Sequence, residues 1–218
     1  MNKYFSKFIL RIVLILIKPK FYKTKKIFGS EDIQILDIGT ANKSYEESRL
    51  VYPKAKYTGL DLYAPNVIAE KGDEFLQMNL EAIDENKIRD TFDLIIMNHV
   101  LEHLGNGEDV FRILCKKINK GGVVYAEFPS IKTMYKPKNR YRYHFHDDPT
   151  HKRVYLLETL ANIAMAEGLK IHSCGNASTP VKSILSIPRA LIKMFMGKNV
   201  GSELIFLRGK VSYILCTK

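Results

Sequence analysis

Three of the six histidines, His144, His146 and His151, fall within eight residues, with Asp147 and Asp148 between them. Imidazole titrates near neutral pH and a neighbouring carboxylate can orient it, so this cluster can move a proton, bind a substrate or simply hold a loop together. Metal binding is the fourth chemistry open to it, although H-x-H with one further histidine is a loose ligand pattern. If Tyr141–His146 is extended, Tyr141, Tyr143 and Phe145 share one face and Arg142, His144 and His146 the other.

A second pair of acids stands far upstream, at the ends of two apolar runs. Ile33 to Ile38 reads as a strand that carries Asp37 and breaks at Gly39, where the chain must turn tightly. Ala41 and Asn42 keep the following loop small, and Tyr45 to Val51 reads as a helix with its N-terminus aimed at a ligand. Tyr57 to Leu60 is a second strand, closed by Asp61. A strand–loop–helix–strand unit of this kind binds nucleotides in open α/β sheets, with an acid after the second strand to accept the ribose hydroxyls. Asp61 is either that acid or a solvated turn residue.

Downstream, Asp73 to Leu80 precedes a polar helical segment, and Phe92 to Met97 is a strongly apolar strand that runs into Asn98-His99-Val100-Leu101-Glu102-His103-Leu104. The amphipathic segment Val110 to Ile118 then reads as a helix, Gly121-Gly122 as a turn and Val123 to Phe128 as a strand. With ILDIGTA at 35–41, GLD at 59–61, FDLIIMNHVLEHL at 92–104 and GGVVYAEFP at 121–129, the chain resembles the class I S-adenosylmethionine-dependent methyltransferases over about residues 31–175. The resemblance implies a Rossmann-like α/β fold, a mostly parallel seven-stranded sheet with an antiparallel C-terminal strand, and S-adenosylmethionine as cofactor. It implies that Asp37, Gly39 and Ala41 meet the methionine portion, that Asp61 and Leu62 lie at the ribose, and that Met78, Asn79 and Leu80 contact adenine. Asn79 is alternatively a helix cap. Asn98 and His99 would flank the sulfonium. Class I transfer does not generally require a metal, and no metal ligands are assigned. One departure stands out: Lys43 occupies the third glycine position of the family's loop, which predicts a wider loop or weaker cofactor binding.

The segment Asp147 to Arg153, followed by a helix at Leu156 to Glu167, resembles one found in bacterial methyltransferases tied to surface-polysaccharide and glycolipid assembly. That likeness implies a glycan or lipid-linked acceptor methylated at oxygen. A neutral sugar hydroxyl is a poor nucleophile, so a base beside it is expected. His146 or His151 is assigned that role, with Asp147 orienting it and His103 a further catalytic candidate. His103 and Glu102 read equally as ordinary first-turn helix residues. A small apolar metabolite, such as a quinone precursor, is the alternative acceptor.

The elements that carry these groups sit between two basic ends. Of 218 residues, 1–29 hold eight Lys/Arg and no acid, and 182–218 hold seven Lys/Arg against Glu203 alone, while the net charge of the whole is +11. The expected organisation is a basic arm at 1–29 and a methyltransferase domain at 30–218 with a basic, apolar insertion at about 180–199. The apolar run 8–17 is too short to span a bilayer, which takes about 20 residues. Lys18-Pro19-Lys20 follows in place of a small-residue cleavage site. Read as a helix, Lys3, Lys7, Arg11 and Lys18 form one cationic stripe on an apolar cylinder, suited to an anionic bilayer surface or to packing on the domain. Pro19 and Lys23 to Lys26 read as a tether. Pro180 to Gly197 repeats this chemistry, with Pro188 expected to kink or divide its helix. Ile171–Cys174, Glu203–Leu207 and Val211–Leu215 read as closing strands. Anionic membrane is favoured over nucleic acid as partner, because the basic residues are interleaved with Ile, Leu and Met. The three cysteines are far apart and form no C-x-x-C pair, which suits a reducing compartment. The expected location is cytoplasmic, peripheral on the inner face of the cell membrane.

Overall fold

The strands that carry Asp37, Asp61 and Asn98 lie together in one seven-stranded sheet, ordered β3-β2-β1-β4-β5-β7-β6. They are β1 (Gln34–Ile38), β2 (Lys56–Asp61), β3 (Glu74–Gln77), β4 (Phe92–Asn98), β5 (Ile118–Pro129), β6 (Lys170–Asn176) and β7 (Val211–Thr217). This computed structural model describes residues 3–28, 32–40, 42–64, 66–67, 69–135, 144–198, 200 and 209–218. Strands β1 to β5 pair in parallel, and β7 runs antiparallel to both β5 and β6. The expected Rossmann-like α/β sheet with its antiparallel C-terminal strand is therefore what the chain forms. Its order reverses between β1 and β4, so the crevice at their carboxyl ends is the place where such sheets bind ligands.

Alternation along the strands feeds two cores. In β4, Ile95 and Met97 join one core, with Val110, Phe111 and Leu114 of α4 (Gly107–Lys116) and Leu160 and Ile163 of α5 (Leu157–Ala166). Leu94 and Ile96 join the other, with Leu14 of α1 (Lys3–Ile17), Phe21 of α2 (Pro19–Thr24) and Tyr45 and Val51 of α3 (Asn42–Val51). A strand apolar on both faces is the mark of a sheet covered on both sides. A sixth helix, α6 (Pro180–Phe195), lies outside these layers and touches α1.

Several sequence expectations change. The first helix of the domain starts at Asn42, not Tyr45. The Gly121-Gly122 pair is not a turn between elements but part of β5, where the register with β4 shifts opposite Phe92 and Leu94. A Cβ on Gly122 would stand 2.9 Å from the Asp93 carbonyl oxygen, so this irregular crossing needs glycine. Pro188 does not divide α6, which runs on through it at the surface, where water can serve the carbonyl the proline leaves without a donor. Glu203–Leu207 lies outside the described residues.

The proposed tether is instead a short helix built into the core. Pro19 opens α2 at a position that needs no N–H donor, Phe21 is fully buried, and the Thr24 hydroxyl meets the Tyr52 hydroxyl at 2.8 Å. Lys7 and Arg11 of the expected cationic stripe line a cleft against α3 with Phe8, Glu46 and Glu70, while Phe5, Ile9, Ile12 and Val13 of the same helix are exposed. Because α2 is core, Phe21→Ala should lower unfolding stability by about 3–5 kcal/mol in urea titrations. A loss under about 1 kcal/mol would restore the tether reading.

Candidate active site

The loop after β1 is held from below by a buried acid. Asp37 is 1% exposed, and its Oδ2 accepts the Tyr57 hydroxyl at 2.8 Å and the Ser44 hydroxyl at 2.7 Å. Burial and this carboxylate push the Tyr57 phenol far up, so it remains a donor. Thr40 and Tyr57 share a further hydroxyl contact, and the Gly39 N–H donates to the Leu60 carbonyl at 2.8 Å, which folds the loop back onto β2. That fold-back explains GLD: a Cβ at Gly59 would lie 2.5 Å from the Thr40 methyl. Asp37 thus supports the loop, and its second oxygen is buried without a hydrogen-bond partner among the described residues.

Two cavities meet above this loop, and Gly39 and His99 line both. The first, about 290 Å³, brings together Asp61, Leu62, Met78, Asn79 and Leu80, with Val100, Leu104 and His103 completing its wall. It offers a strand-end carboxylate for a diol and apolar walls for a flat ring. The Asn79 oxygen caps the turn at Leu80–Ala82 by accepting the Glu81 N–H at 3.0 Å, so the amide N–H₂ is the group available to a ligand. Ala41 lies outside the described residues.

The second cavity, about 330 Å³, was not foreseen. Lys18, Lys20, Lys43 and Lys182 line it, together with Asn98 and Glu127. Its lysines come from the end of α1, from α2, from the first turn of α3 and from α6. Lys43 therefore supplies a cation to the cavity wall where the family pattern has a glycine. Lys20 is buried and donates to the Ser44 hydroxyl at 2.8 Å, which in turn donates to Asp37. Lys18 pairs with Glu47 at 3.1 Å. Lys43 stood out in the sequence, but nothing local showed that it meets Lys18, Lys20 and Lys182, which converge only through packing. Glu127 could have been noticed as an acid at the carboxyl end of β5 within GGVVYAEFP.

His99 is the hinge between the cavities. It has φ +58, a left-handed conformation that histidine tolerates better than most residues. Its Nδ1 lies 2.9 Å from Glu102 Oε1 and its Nε2 lies 3.4 Å from Glu127 Oε1. Desolvation opposes protonation, but the hydrogen bonds and charges of the two acids outweigh it and raise the pKa to about 10. His99 is an imidazolium at neutral pH.

The histidine-rich segment is not extended where it is described: Phe145–Asp147 is a 3₁₀ turn, and Tyr141, Arg142 and Tyr143 lie outside the described residues. Asp147 was expected to orient a base, but its carboxylate accepts the His144 N–H at 2.8 Å and closes a capping box. His146 and His151 line neither cavity, whereas His103 does.

A profile of the methyltransferase domain family matches residues 2–174. The chain belongs to that family. No sequence among curated proteins matches it. Its fold is similar to that of an S-adenosylmethionine-dependent methyltransferase from Mesorhizobium loti, with 16% identity, a TM-score of 0.61, and 92% of this chain and 98% of that one covered. It is also similar to a putative S-adenosylmethionine-dependent methyltransferase from Listeria monocytogenes, at 13% identity and TM-score 0.62, with the same 92% and 98% coverage. A third likeness is to phosphoethanolamine N-methyltransferase 2 of Haemonchus contortus in complex with S-adenosyl-L-methionine, at 15% identity and TM-score 0.62, with 89% of this chain and 51% of that one covered. Family and fold together make the chain an S-adenosylmethionine-dependent methyltransferase.

The residues present in this methyltransferase fit that cofactor: a diol-binding acid, apolar walls, an amide donor and an unpartnered buried carboxylate oxygen below the loop. Asp61→Ala should weaken S-adenosylmethionine binding at least about tenfold in calorimetry, since a hydrogen bond to a charged group contributes about 1.5–3 kcal/mol. His99 also sets a pH signature. Because its pKa rises from 6.5 to about 10 on folding, its contribution to stability is full below pH 6.5 and is lost as pH climbs towards 10. Urea denaturation across that window should show a decline for the wild type that is absent from His99→Asn, and parallel curves would disprove the pairing.

Proposed function

We propose that this methyltransferase works at a membrane surface and methylates an oxygen of a lipid-linked acceptor that carries an anionic group, with a glycan presenting the reacting hydroxyl. The observation that carries this reading is the pair α1 and α6. These helices touch, and each exposes an apolar face, Phe5, Phe8, Ile9 and Val13 on one and Ile187, Leu191, Ile192 and Phe195 on the other. Exposed apolar surface on this scale marks an interaction site. Among the described residues no helix is long and apolar enough to cross a membrane, so these faces suit lying in the interface.

Charge selects the acceptor class. Lys18 at the end of α1 and Lys182 near the start of α6 both line the lysine cavity, so a lipid tail on the helices would place its anionic group there. A small neutral apolar metabolite would have no use for four ammonium groups. When bound, S-adenosylmethionine supplies a methyl group already activated on a sulfonium. Asp61, Asn79 and the apolar wall would hold it, and the covered crevice would exclude water. His99, already protonated and with its two ring nitrogens facing Glu102 and Glu127, cannot accept the acceptor's proton. Glu127, in the same cavity, is then the carboxylate to receive that proton, in place of His146 or His151.

Two measurements test this. Full-length protein should float with vesicles containing phosphatidylglycerol, and Phe8→Ser combined with Phe195→Ser should reduce the bound fraction several-fold. Labelled cofactor incubated with a lipid extract should mark a lipid fraction that binds an anion exchanger. Label appearing only in water-soluble neutral metabolites would overturn the lipid assignment.

A further inference from the structure

Glu102, His103 and His151 each bring one potential ligand atom to within 4.8 Å of the other two. Glu102 and His103 follow β4 in one 3₁₀ turn, and His151 comes from a segment almost fifty residues later that packs on it, its backbone tied by the Lys152 N–H to the Glu102 carbonyl at 2.8 Å. The rings of His103 and His151 meet edge to face with centroids 4.9 Å apart.

The hydrogen bonds around the three side chains determine which atoms are available. His151 Nδ1 lies 2.7 Å from the Phe145 carbonyl oxygen, which can only accept, so Nδ1 carries a proton and Nε2, 3.8 Å from Asp148 Oδ2, is the nitrogen left for a ligand. Thr150 gives its hydroxyl proton to Asp148 at 2.6 Å, so its oxygen must accept at the 2.9 Å contact with His103 Nδ1. His103 is thereby also protonated on Nδ1, with a lone pair on Nε2. Glu102 is 1% exposed, and while Oε1 meets His99, Oε2 is buried with no hydrogen-bond partner among the described residues. A buried carboxylate oxygen left in this way costs about 1–3 kcal/mol or more.

We propose that Glu102 Oε2, His103 Nε2 and His151 Nε2 bind one divalent first-row transition-metal ion at the wall of the cofactor cavity. Each imidazole donates its other N–H to an oxygen, the second-shell pattern that orients metal-ligating histidines. Two nitrogens and one carboxylate favour zinc, iron, cobalt or nickel over magnesium or calcium. Three protein ligands leave positions open on the ion for water. Since Glu102 also holds His99, the ion and the junction of the two cavities belong to one side-chain network.

The test is cobalt(II) titration of chelator-treated full-length protein carrying Cys174→Ser, which removes the exposed thiol. Visible absorption should saturate at one ion per chain, with competition by zinc(II). His151→Gln and Glu102→Gln should each weaken the ion at least about tenfold, and so should Thr150→Val, which removes the exposed hydroxyl between His103 and Asp148. Calorimetry with S-adenosylhomocysteine on the same samples separates loss of the ion from loss of the cofactor site. Failure of the parent protein to saturate at one equivalent, a thiolate charge-transfer band, or unchanged affinity in Thr150→Val and His151→Gln would each overturn the proposal, even if Glu102→Gln did not fold.

Discussion

The buried carboxylate of Asp37 is the constraint on which the site depends. A charge removed from water must be met by hydrogen bonds or it destabilises the fold by several kcal/mol. Here the partners come from three elements: Tyr57 in β2, Ser44 in α3 and, through Ser44, Lys20 in α2. Meeting that one charge draws β2 against the loop after β1, seats the first turn of α3 beside it and fixes the N-terminal helices to the domain. Gly59 is required because the loop comes so close, and α2 is anchored beside Lys20 by Phe21, which is fully buried in the core. The basic arm is therefore part of the site's foundation.

A second charge network organises the opposite wall. His99, Glu102 and Glu127 join the ends of β4 and β5, and the His99 N–H to the Glu127 carbonyl at 2.8 Å ties the same two residues through the backbone. Two carboxylates on one imidazole raise its pKa to about 10, so it is protonated at neutral pH and unsuited to act as a base. The same arrangement leaves one Glu102 oxygen without a partner, at the point where His103 and His151 present lone pairs. Histidines that read as proton carriers in the sequence thus become candidate ligands, because their protons are already committed to Phe145 and Thr150.

Charge and exposed apolar surface interleave along α1. Lys7 and Arg11 line a cleft with acids on and beside α3, Lys18 just beyond the helix reaches the cavity, and Phe5, Ile9, Ile12 and Val13 are exposed. An isolated amphipathic helix on an anionic bilayer would show its cations to the membrane. Here Lys7 and Arg11 share a cleft with Glu46 and Glu70, and most of the exposed residues of α1 are apolar.

The amino-acid sequence by itself determined the sheet, its strand boundaries to within a few residues, and the corner that holds Asp61, Met78, Asn79 and Leu80. These follow from periodicity and from short motifs whose residues act on near neighbours. It did not determine the lysine cavity, whose four lysines come from three helices and the residue between α1 and α2, nor the state of His99, which depends on an acid in another strand. The surroundings of Asp147, His146 and His151 were not legible for the same reason: composition shows which groups can titrate, but the hydrogen-bond partners they meet depend on the fold. Tyr155, whose hydroxyl donates to the Leu104 carbonyl at 2.5 Å and accepts the Gly107 N–H, shows the limit most simply. Nothing beside it in sequence needs that hydroxyl, and only the tertiary fold brings it to the backbone that does.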